Sequence, residues 1–385
     1  METNDLIYLD NAATSFPKPP EVLASMHENY ALYGVSPGRG SYDLAVYAAE
    51  LVWQTRVKLA LFFNAPEPSR VIFTANATDA LNLAMQGLLQ PGDHVVSTQL
   101  EHNSVLRPLH HLRERNSVEY DLVPFDQQGL INPDDIVRAF KPNTRLVVVS
   151  HASNVLGTVQ PIKEIGCLCA EHGIPLLIDV AQSAGHIPVN MQDLQVSVIA
   201  FTGHKALLGP AGIGGLIIAP DLDLQTTRFG GTGVDSHDLR HTQIYPHRLE
   251  AGTLNMPGIF GLSAALDYLE QKAEMLQKQE MLMTKLLYDG LKEIKGVRMI
   301  SPEPKGESVP VLTCTVKGKD ASVIGEILDG DYQIAVRTGL HCAPLVHQVL
   351  KTAETGGVRF SPGPFNTQAQ IKLAIEAMAE IAAMW

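Results

Sequence analysis

The chain has 385 residues, a net charge of −12 and 45% hydrophobic residues. At roughly 100–200 residues per domain this length suggests two or three domains, and the globular composition excludes a mainly disordered chain. The acidic balance disfavours a nucleic-acid binder, and no apolar run reaches the ~18–20 residues that span a bilayer. Residues 1–5 lack a basic-then-apolar leader pattern and four cysteines make no disulfide scaffold, so we expect a cytoplasmic globular enzyme.

Short runs rich in Val and Ile alternate with amphipathic stretches along the first part of the chain. The apolar runs lie at residues 71–74, 95–98, 146–150, 176–179, 198–202 and 215–219. They are continuous rather than alternating, which is typical of strands buried on both faces of a mostly parallel sheet. Residues 78–89 and 162–172 have helical spacing and end at turn signals. This order predicts an α/β domain of the doubly wound kind.

The pattern changes near Gly258. A long helical tract covers residues 259–295, with a break expected near residues 277–281. Further on come alternating segments such as residues 309–316 and two more helices, at residues 321–328 and 368–384. We predict a large α/β domain of residues 16–258 and a smaller α+β domain of residues 1–15 and 259–385, which includes the connecting helix.

Polar residues collect immediately after the predicted strands. In open α/β sheets, ligands bind in the crevice outside the carboxyl ends of the strands. Five consecutive runs are followed there by the segments 75–79, 99–103, 151–154, 179–182 and 202–205, all of which contain polar or ionisable side chains. The coincidence predicts one ligand site at that edge of the sheet.

Lys205 follows the run at residues 198–202. It is either a surface lysine or an amine at the inner end of the sheet, and its neighbours Thr202, Gly203 and His204 favour the second interpretation. A lysine in a partly desolvated pocket has a lowered pKa and can form a Schiff base with an aldehyde. Thr202 and His204 could bind a phosphate beside it.

Asp179 closes an otherwise apolar strand, where a carboxylate is costly to bury without a cationic partner. A metal ion is one alternative, but no other carboxylate or histidine lies nearby at a ligand-like spacing. A protonated pyridine nitrogen is the better partner, because pyridoxal 5′-phosphate (PLP) needs an Asp at that atom to act as an electron sink. We therefore expect PLP and no metal.

Four further polar residues are ambiguous. Thr78 begins a helix, where it is either the N-cap or a ligand of an anion. His102 is either an ordinary core or surface histidine or a flat ring stacked on a cofactor. Asn154 and Gln182 hydrogen-bond either loop backbone or a ring hydroxyl of the cofactor.

A second centre lies at residues 337–344, where Arg337, His341 and Cys342 share one loop. Most lone cysteines are inert and buried, but these neighbours predict an exposed loop thiol with a raised thiolate content. Arg359, in a short strand, is either a surface charge or a planar fork for a substrate carboxylate.

Together these segments resemble the class V aminotransferase branch of fold type I PLP enzymes, and within it the group II cysteine desulfurases. T-G-H-K at residues 202–205 and D-V-A-Q at 179–182 are specific for the family. The other matching stretches are Y-L-D-N-A-A-T at 8–14, N-A-T-D at 76–79, E-H-N at 101–103, E-A-G-T at 250–253 and R-T-G-L-H-C-A at 337–343. The resemblance implies a mostly parallel seven-stranded sheet in the large domain and a smaller α+β C-terminal domain.

The resemblance also implies a role for each matched position. Lys205 would hold PLP and move protons, His102 would stack on its ring, and Cys342 would take the sulfur of L-cysteine as a persulfide and release L-alanine. The implied cofactor residues are Lys205, Asp179, Gln182, His102, Asn154, Thr78, Ala77, Thr202, His204 and Thr253. Of these, Thr253 would reach in from the partner subunit of a homodimer. The implied substrate residues are Arg359, Asn11, Ala12, Ala13, Asn154 and Arg337.

Two positions depart from the family pattern. Ala77 stands where a second hydroxyl is usual in the phosphate loop, and Leu340 replaces a histidine common just before His341. The second departure leaves the substrate and the rate open. Among enzymes, the alternative is a selenocysteine lyase, or another class V lyase or aminotransferase. A non-catalytic sulfur-relay scaffold is disfavoured, because it needs neither the amine, the carboxylate nor the thiol. The persulfide would pass to a sulfur-acceptor protein for synthesis of iron–sulfur clusters or other sulfur-containing cofactors.

Overall fold

The computed structural model describes residues 6–38, 40, 42–235 and 237–384. Residues 1–5, on which the prediction of no leader segment depends, lie outside the described residues. None of the described helices combines the length and the hydropathy that a membrane crossing requires.

Strands and helices alternate through most of this chain. The strands are β1 (Ile7–Tyr8), β2 (Val71–Thr74), β3 (His94–Thr98), β4 (Glu119–Val123), β5 (Thr144–Ser150), β6 (Leu176–Asp179), β7 (Val198–Thr202), β8 (Gly214–Ile218), β9 (Val297–Met299), β10 (Leu312–Val316), β11 (Ile334–Ala335), β12 (Arg337–Gly339) and β13 (Gly357–Phe360). The helices are α1 (Pro20–Tyr33), α2 (Asp43–Phe62), α3 (Ala77–Leu88), α4 (Asn103–Asn116), α5 (Pro133–Arg138), α6 (Ile162–Glu171), α7 (Met256–Lys292), α8 (Ala321–Tyr332), α9 (Pro344–Val349) and α10 (Gln368–Ala383).

Within the described residues, seven strands form the large sheet, in the order β2-β8-β7-β6-β5-β3-β4. It is parallel except for β8, which runs antiparallel to β2 and β7. The predicted fold, a mostly parallel sheet flanked by helices, is therefore confirmed. Strand β4 was not predicted; it lies at the sheet edge, where Glu119 is exposed and the next three residues are only partly buried.

Both faces of this sheet are covered, which explains why its strands are continuously apolar. In β5, Val147 and Val149 belong to one hydrophobic cluster, whereas Leu146 and Val148 belong to a second cluster on the opposite face. The two clusters hold the sheet in place, and the polar residues at the strand ends extend beyond them.

The second sheet is antiparallel and contains β12, β13, β10 and β9 in that order. It packs with α7, α8 and α10 around a separate apolar cluster, to which Leu287 and Leu291 of α7 contribute. The short β1 pairs in parallel with β11 and joins the N-terminal segment to this part of the chain. The division into residues 16–258 and residues 1–15 with 259–385 stays a prediction.

Helix α7 is continuous over 37 residues, so the predicted break near residues 277–281 is wrong. The polar residues there contact the chain alongside: Gln277 donates to the backbone oxygen of Gly185, and Glu280 pairs with His186 at 3.1 Å. They satisfy neighbouring polar groups without interrupting the helix. Other predicted ends shift by a few residues; α8 continues to Tyr332, four residues beyond its predicted end.

Candidate active site

A cavity of about 350 Å³ lies where β6 and β7 end, at the edge of the large sheet predicted to bind a ligand. Residues from three distant parts of the sequence meet in it: the N-terminal segment, the strand ends, and the loop and strand around residues 337–359. The predicted site residues that line it are Ala12, Ala13, Ala77, Thr78, His102, Asn154, Asp179, Gln182, Thr202, His204, Lys205, Arg337, Cys342 and Arg359.

Two predicted residues lie elsewhere. The side-chain amide of Asn11 donates to the backbone oxygen of Ser361 at 3.0 Å and its oxygen accepts from the Phe16 N–H at 3.1 Å, so it holds the segment in place. Thr253 is exposed beside a second cavity of about 290 Å³, which Trp53 also lines.

Asp179 and Lys205 place opposite charges at the cavity. Asp179 ends β6 with 6% of its surface exposed, and its Oδ1 accepts from the Ala181 N–H at 2.9 Å. Burial raises the pKa of Asp179, opposed by the Ala181 hydrogen bond and by the charge of Lys205. Burial lowers the pKa of Lys205 to about 8, and the negative charge of Asp179 opposes that shift. The amine therefore exchanges its proton much nearer to neutral pH than an ordinary lysine.

His102 presents a neutral ring at the cavity wall. It is the N-cap of α4, and its Nδ1 accepts from the Ser104 N–H at 3.0 Å, so the ring proton lies on Nε2. Burial, followed by the charge of Lys205, lowers the pKa of His102 to about 4. The ring is uncharged at neutral pH as a consequence.

The N-terminus of α3 forms one end of the cavity. The N-cap is Asn76, whose Oδ1 accepts from the Asp79 N–H at 2.9 Å, so the alternative that Thr78 is the N-cap is wrong. Nearby, the buried Oγ1 of Thr202 has no hydrogen-bond partner within the described part of the chain. Free N–H groups of a first helical turn and an unpaired hydroxyl suit an anion.

Arg359 is buried, with 1% of its surface exposed, so the alternative of a surface charge is wrong. Its Nη2 donates to Asp10 Oδ1 at 2.8 Å and its Nη1 to the backbone oxygen of Asn154 at 3.1 Å. Its Nε is buried and has no partner among the described residues. The guanidinium is thus held on one side and keeps donor capacity for a ligand.

Cys342 is half-buried, so the predicted exposed thiol is wrong. The loop packs onto the large sheet because the Asn103 N–H donates to the Cys342 carbonyl at 2.7 Å and Asn154 Nδ2 donates to the His341 carbonyl at 2.6 Å. The thiol still lines the cavity, 3.3 Å from Arg337 Nη2. Gln182 likewise donates to backbone, at the Ala12 carbonyl.

Comparison with known proteins agrees with this geometry. The sequence profile described as Aminotransferase class-V matches residues 7–373. The chain belongs to that family. A probable cysteine desulfurase of Methanothermobacter thermautotrophicus is 38% identical to it over 99% of the chain and 96% of the relative. A cysteine desulfurase of Pectobacterium atrosepticum is 34% identical over 88% of the chain and 84% of the relative.

Solved structures of cysteine desulfurases have the same fold as this chain. The apo structure from Thermococcus onnurineus NA1 has a TM-score of 0.92 at 32% identity and covers 100% of this chain and 96% of its own. CsdA (S-sulfonic acid) from Escherichia coli has a TM-score of 0.88 at 28% identity, with coverages of 99% and 96%. The predicted family resemblance is confirmed, and enzymes of this family depend on PLP.

Several residues at or behind the cavity have no role in the predictions from sequence. Glu101 is fully buried, and its carboxylate accepts from the hydroxyls of Thr98 and Ser150 at 2.7 Å each. Burial raises the pKa of Glu101 to about 7. Ser150 and His341 line the cavity themselves. Glu101 stands in the E-H-N motif, and that motif is the sequence signal that could have revealed it.

Proposed function

We propose that the chain is a PLP-dependent cysteine desulfurase, which converts L-cysteine to L-alanine and keeps the sulfur as a persulfide on Cys342. The observation that carries the proposal is that one cavity contains Lys205, Asp179, Cys342 and Arg359. An amine beside a carboxylate suits the cofactor, a buried guanidinium suits the carboxylate of an amino acid, and a thiol suits sulfur transfer.

The residues present fit PLP. Lys205 would hold it covalently, Asp179 would face the ring nitrogen, and the neutral ring of His102 would lie against the ring. The unpaired Thr202 hydroxyl supports a phosphate at that end. Thr78, Ala77 and His204 would also bind this phosphate, and Thr253 would reach the site from the partner subunit of the homodimer. When bound, PLP supplies an electron sink for negative charge that develops on the substrate.

Arg359 would bind the substrate carboxylate. Asp10 and the Asn154 carbonyl hold its two terminal nitrogens, and its buried Nε has no partner among the described residues, so the guanidinium keeps an unused donor. Ala12 and Ala13 line the same space with small side chains. Arg359 therefore orients the amino acid before reaction, while the lowered pKa of Lys205, about 8, suits proton transfer at the substrate carbon.

Cys342 would perform the sulfur transfer. Its thiolate attacks the sulfur of L-cysteine, a sulfur–sulfur bond forms, and the carbon–sulfur bond breaks with its electron pair left on carbon. The proton lost by the thiol balances the proton gained by that carbon, giving one persulfide and one L-alanine. Arg337 Nη2 donates to Sγ at 3.3 Å. A sulfur-acceptor protein would then take the sulfur for cofactor synthesis.

A homodimer is part of this proposal. Helices α1 and α2 expose several large apolar side chains: Leu23, Tyr30, Leu32, Val46, Tyr47 and Trp53. Exposed apolar surface of this extent is typical of a protein–protein interface. Trp53 and the exposed Thr253 line the same second cavity, which supports a role for Thr253 at the partner's phosphate site.

The test measures L-alanine and sulfide from L-cysteine with a reducing thiol present. We expect Cys342→Ala to keep the absorbance of lysine-bound PLP and to lose sulfide production. Cys167→Ala is the matched control, because Cys167 is also a partly buried free thiol but lies in α6. Sulfide production by Cys342→Ala at the unsubstituted rate would overturn the proposal. L-selenocysteine turnover that survives in this variant would instead favour the lyase alternative.

A further inference from the structure

Three hydrogen-bonded side chains, of which the first belongs to the Cys342 loop, take no part in the chemistry above. His341 Nδ1 lies 3.1 Å from His347 Nε2, and His347 Nδ1 lies 2.8 Å from Thr352 Oγ1. At the other end, His341 Nε2 contacts the Arg337 carbonyl at 3.3 Å. His347 stands in α9 with 0% of its surface exposed, and Thr352 with 2%.

The donor and acceptor of each hydrogen bond follow from the group at one end of the series, the Arg337 carbonyl. The Arg337 carbonyl only accepts, so His341 Nε2 donates to it. Burial lowers the pKa of His341 to about 2 and that of His347 to about 4, so each ring is neutral and has a single N–H. His341 Nδ1 must then accept from His347 Nε2. The other ring nitrogen of His347, Nδ1, accepts from the Thr352 hydroxyl. All three bonds run from Thr352 toward Arg337.

The loop needs such support because of its backbone. His341 and Cys342 are consecutive non-glycine residues with φ of 52° and 58°, a left-handed conformation that side chains disfavour. Asn103 and Asn154 hold the two carbonyls of this pair. The histidine chain adds an anchor on the side chain of His341, the residue directly before the thiol.

We propose that His347 is a positioning residue for Cys342. It fixes the ring of His341 and thereby the left-handed turn that keeps Sγ in the cavity beside Arg337. This inference rests on the proposed function, since it assumes that Cys342 accepts the sulfur. Its consequence is specific: loss of His347 slows persulfide formation and leaves cofactor and substrate binding intact.

The test compares His347→Phe with His347→Gln, whose amide can still donate to His341 Nδ1. We expect His347→Phe to slow single-turnover persulfide formation on Cys342 at least tenfold, with PLP content and the KM for L-cysteine within twofold. We expect His347→Gln to recover most of the rate. The matched control is His94→Phe, because His94 is also buried and bonded to a threonine, Thr144, but lies at the opposite end of β3.

An unchanged rate in His347→Phe, an equal loss in His94→Phe, or no recovery in His347→Gln would each overturn the inference. Should His347→Phe not fold, Thr352→Val takes its place: it keeps the shape, removes one hydroxyl, and should slow persulfide formation twofold to fivefold, an unchanged rate again overturning the inference. Absence of persulfide in the unsubstituted protein overturns the proposed function, and this inference with it. When the unsubstituted protein does form persulfide, the outcomes for the variants overturn the inference alone.

Discussion

Arg359 and Asp10 form an ion pair at 2.8 Å between positions 349 residues apart in the sequence. Asp10 belongs to the N-terminal segment, and Arg359 to β13 of the antiparallel sheet. The pair is placed by neighbouring backbone bonds, in which the Asn11 N–H donates to the Ser361 carbonyl and the Ser361 N–H donates to the Leu9 carbonyl. The start of the chain therefore orients a side chain near its end.

Arg359→Lys should weaken substrate binding without loss of cofactor. Lysine keeps the charge but cannot provide the planar fork, and a hydrogen bond to a charged group contributes about 1.5–3 kcal/mol. We expect the KM for L-cysteine to rise at least tenfold while PLP absorbance stays unchanged. Arg298→Lys, at an exposed position of β9, is the control and should alter neither. A parallel fall in PLP content would contradict the carboxylate role.

Capture of PLP by the cofactor-free protein should depend on pH through Lys205. Only the neutral amine attacks an aldehyde, and burial lowers the pKa of Lys205 to about 8. The capture rate should rise with pH below about 8 and level off above it. With an ordinary lysine the rate would continue to rise up to a pH of about 10.5.

Asp179→Asn tests the direction in which Asp179 shifts that profile. The negative charge of Asp179 raises the pKa of Lys205, so its removal should move the plateau to lower pH. Absorbance of the lysine-bound cofactor, followed after mixing at a series of pH values, measures both profiles. A shift to higher pH in Asp179→Asn would show that the two groups do not interact as described.

Lys205 and Asp179 could be located from sequence because strand polarity alone determines their position. A carboxylate that ends one buried parallel strand and a lysine that follows the next must lie at the same sheet edge. No contact between distant residues is needed for that inference. The role of each residue still depended on the family resemblance.

The exposure of Cys342 could not be predicted, because it depends on bonds to residues far away in sequence. Asn103 and Asn154 fold the loop against the large sheet, and no local pattern around residues 337–344 encodes that packing. The N-cap of α3 is a different case. Asn76 stands three residues before Asp79, the spacing of its capping bond, so this assignment was available from the sequence.

Removal of Arg56 should destabilise the protein strongly. Arg56 donates to both carboxylate oxygens of Glu250, at 2.9 and 2.7 Å, and both side chains are buried. Arg56→Met leaves the Glu250 charge without its partner, and loss of one member of a buried pair costs about 3–5 kcal/mol. Urea denaturation measures the free energy of unfolding. Lys278→Met, which breaks an exposed pair with Glu274, should leave that free energy unchanged.

Two glycine substitutions in helices should change stability in opposite directions. A Cβ on Gly166 in α6 would collide with the backbone oxygen of Leu194, so Gly166→Ala forces two packed segments apart and should cost about 1–3 kcal/mol. A Cβ on Gly330 in α8 has open space around it, and Gly330→Ala should add about 0.5–1 kcal/mol through the higher helix propensity of alanine. Thermal unfolding of the two variants and of the unsubstituted chain measures whether each substitution lowers or raises stability. Stabilisation by Gly166→Ala would mean that α6 does not pack closely on Leu194.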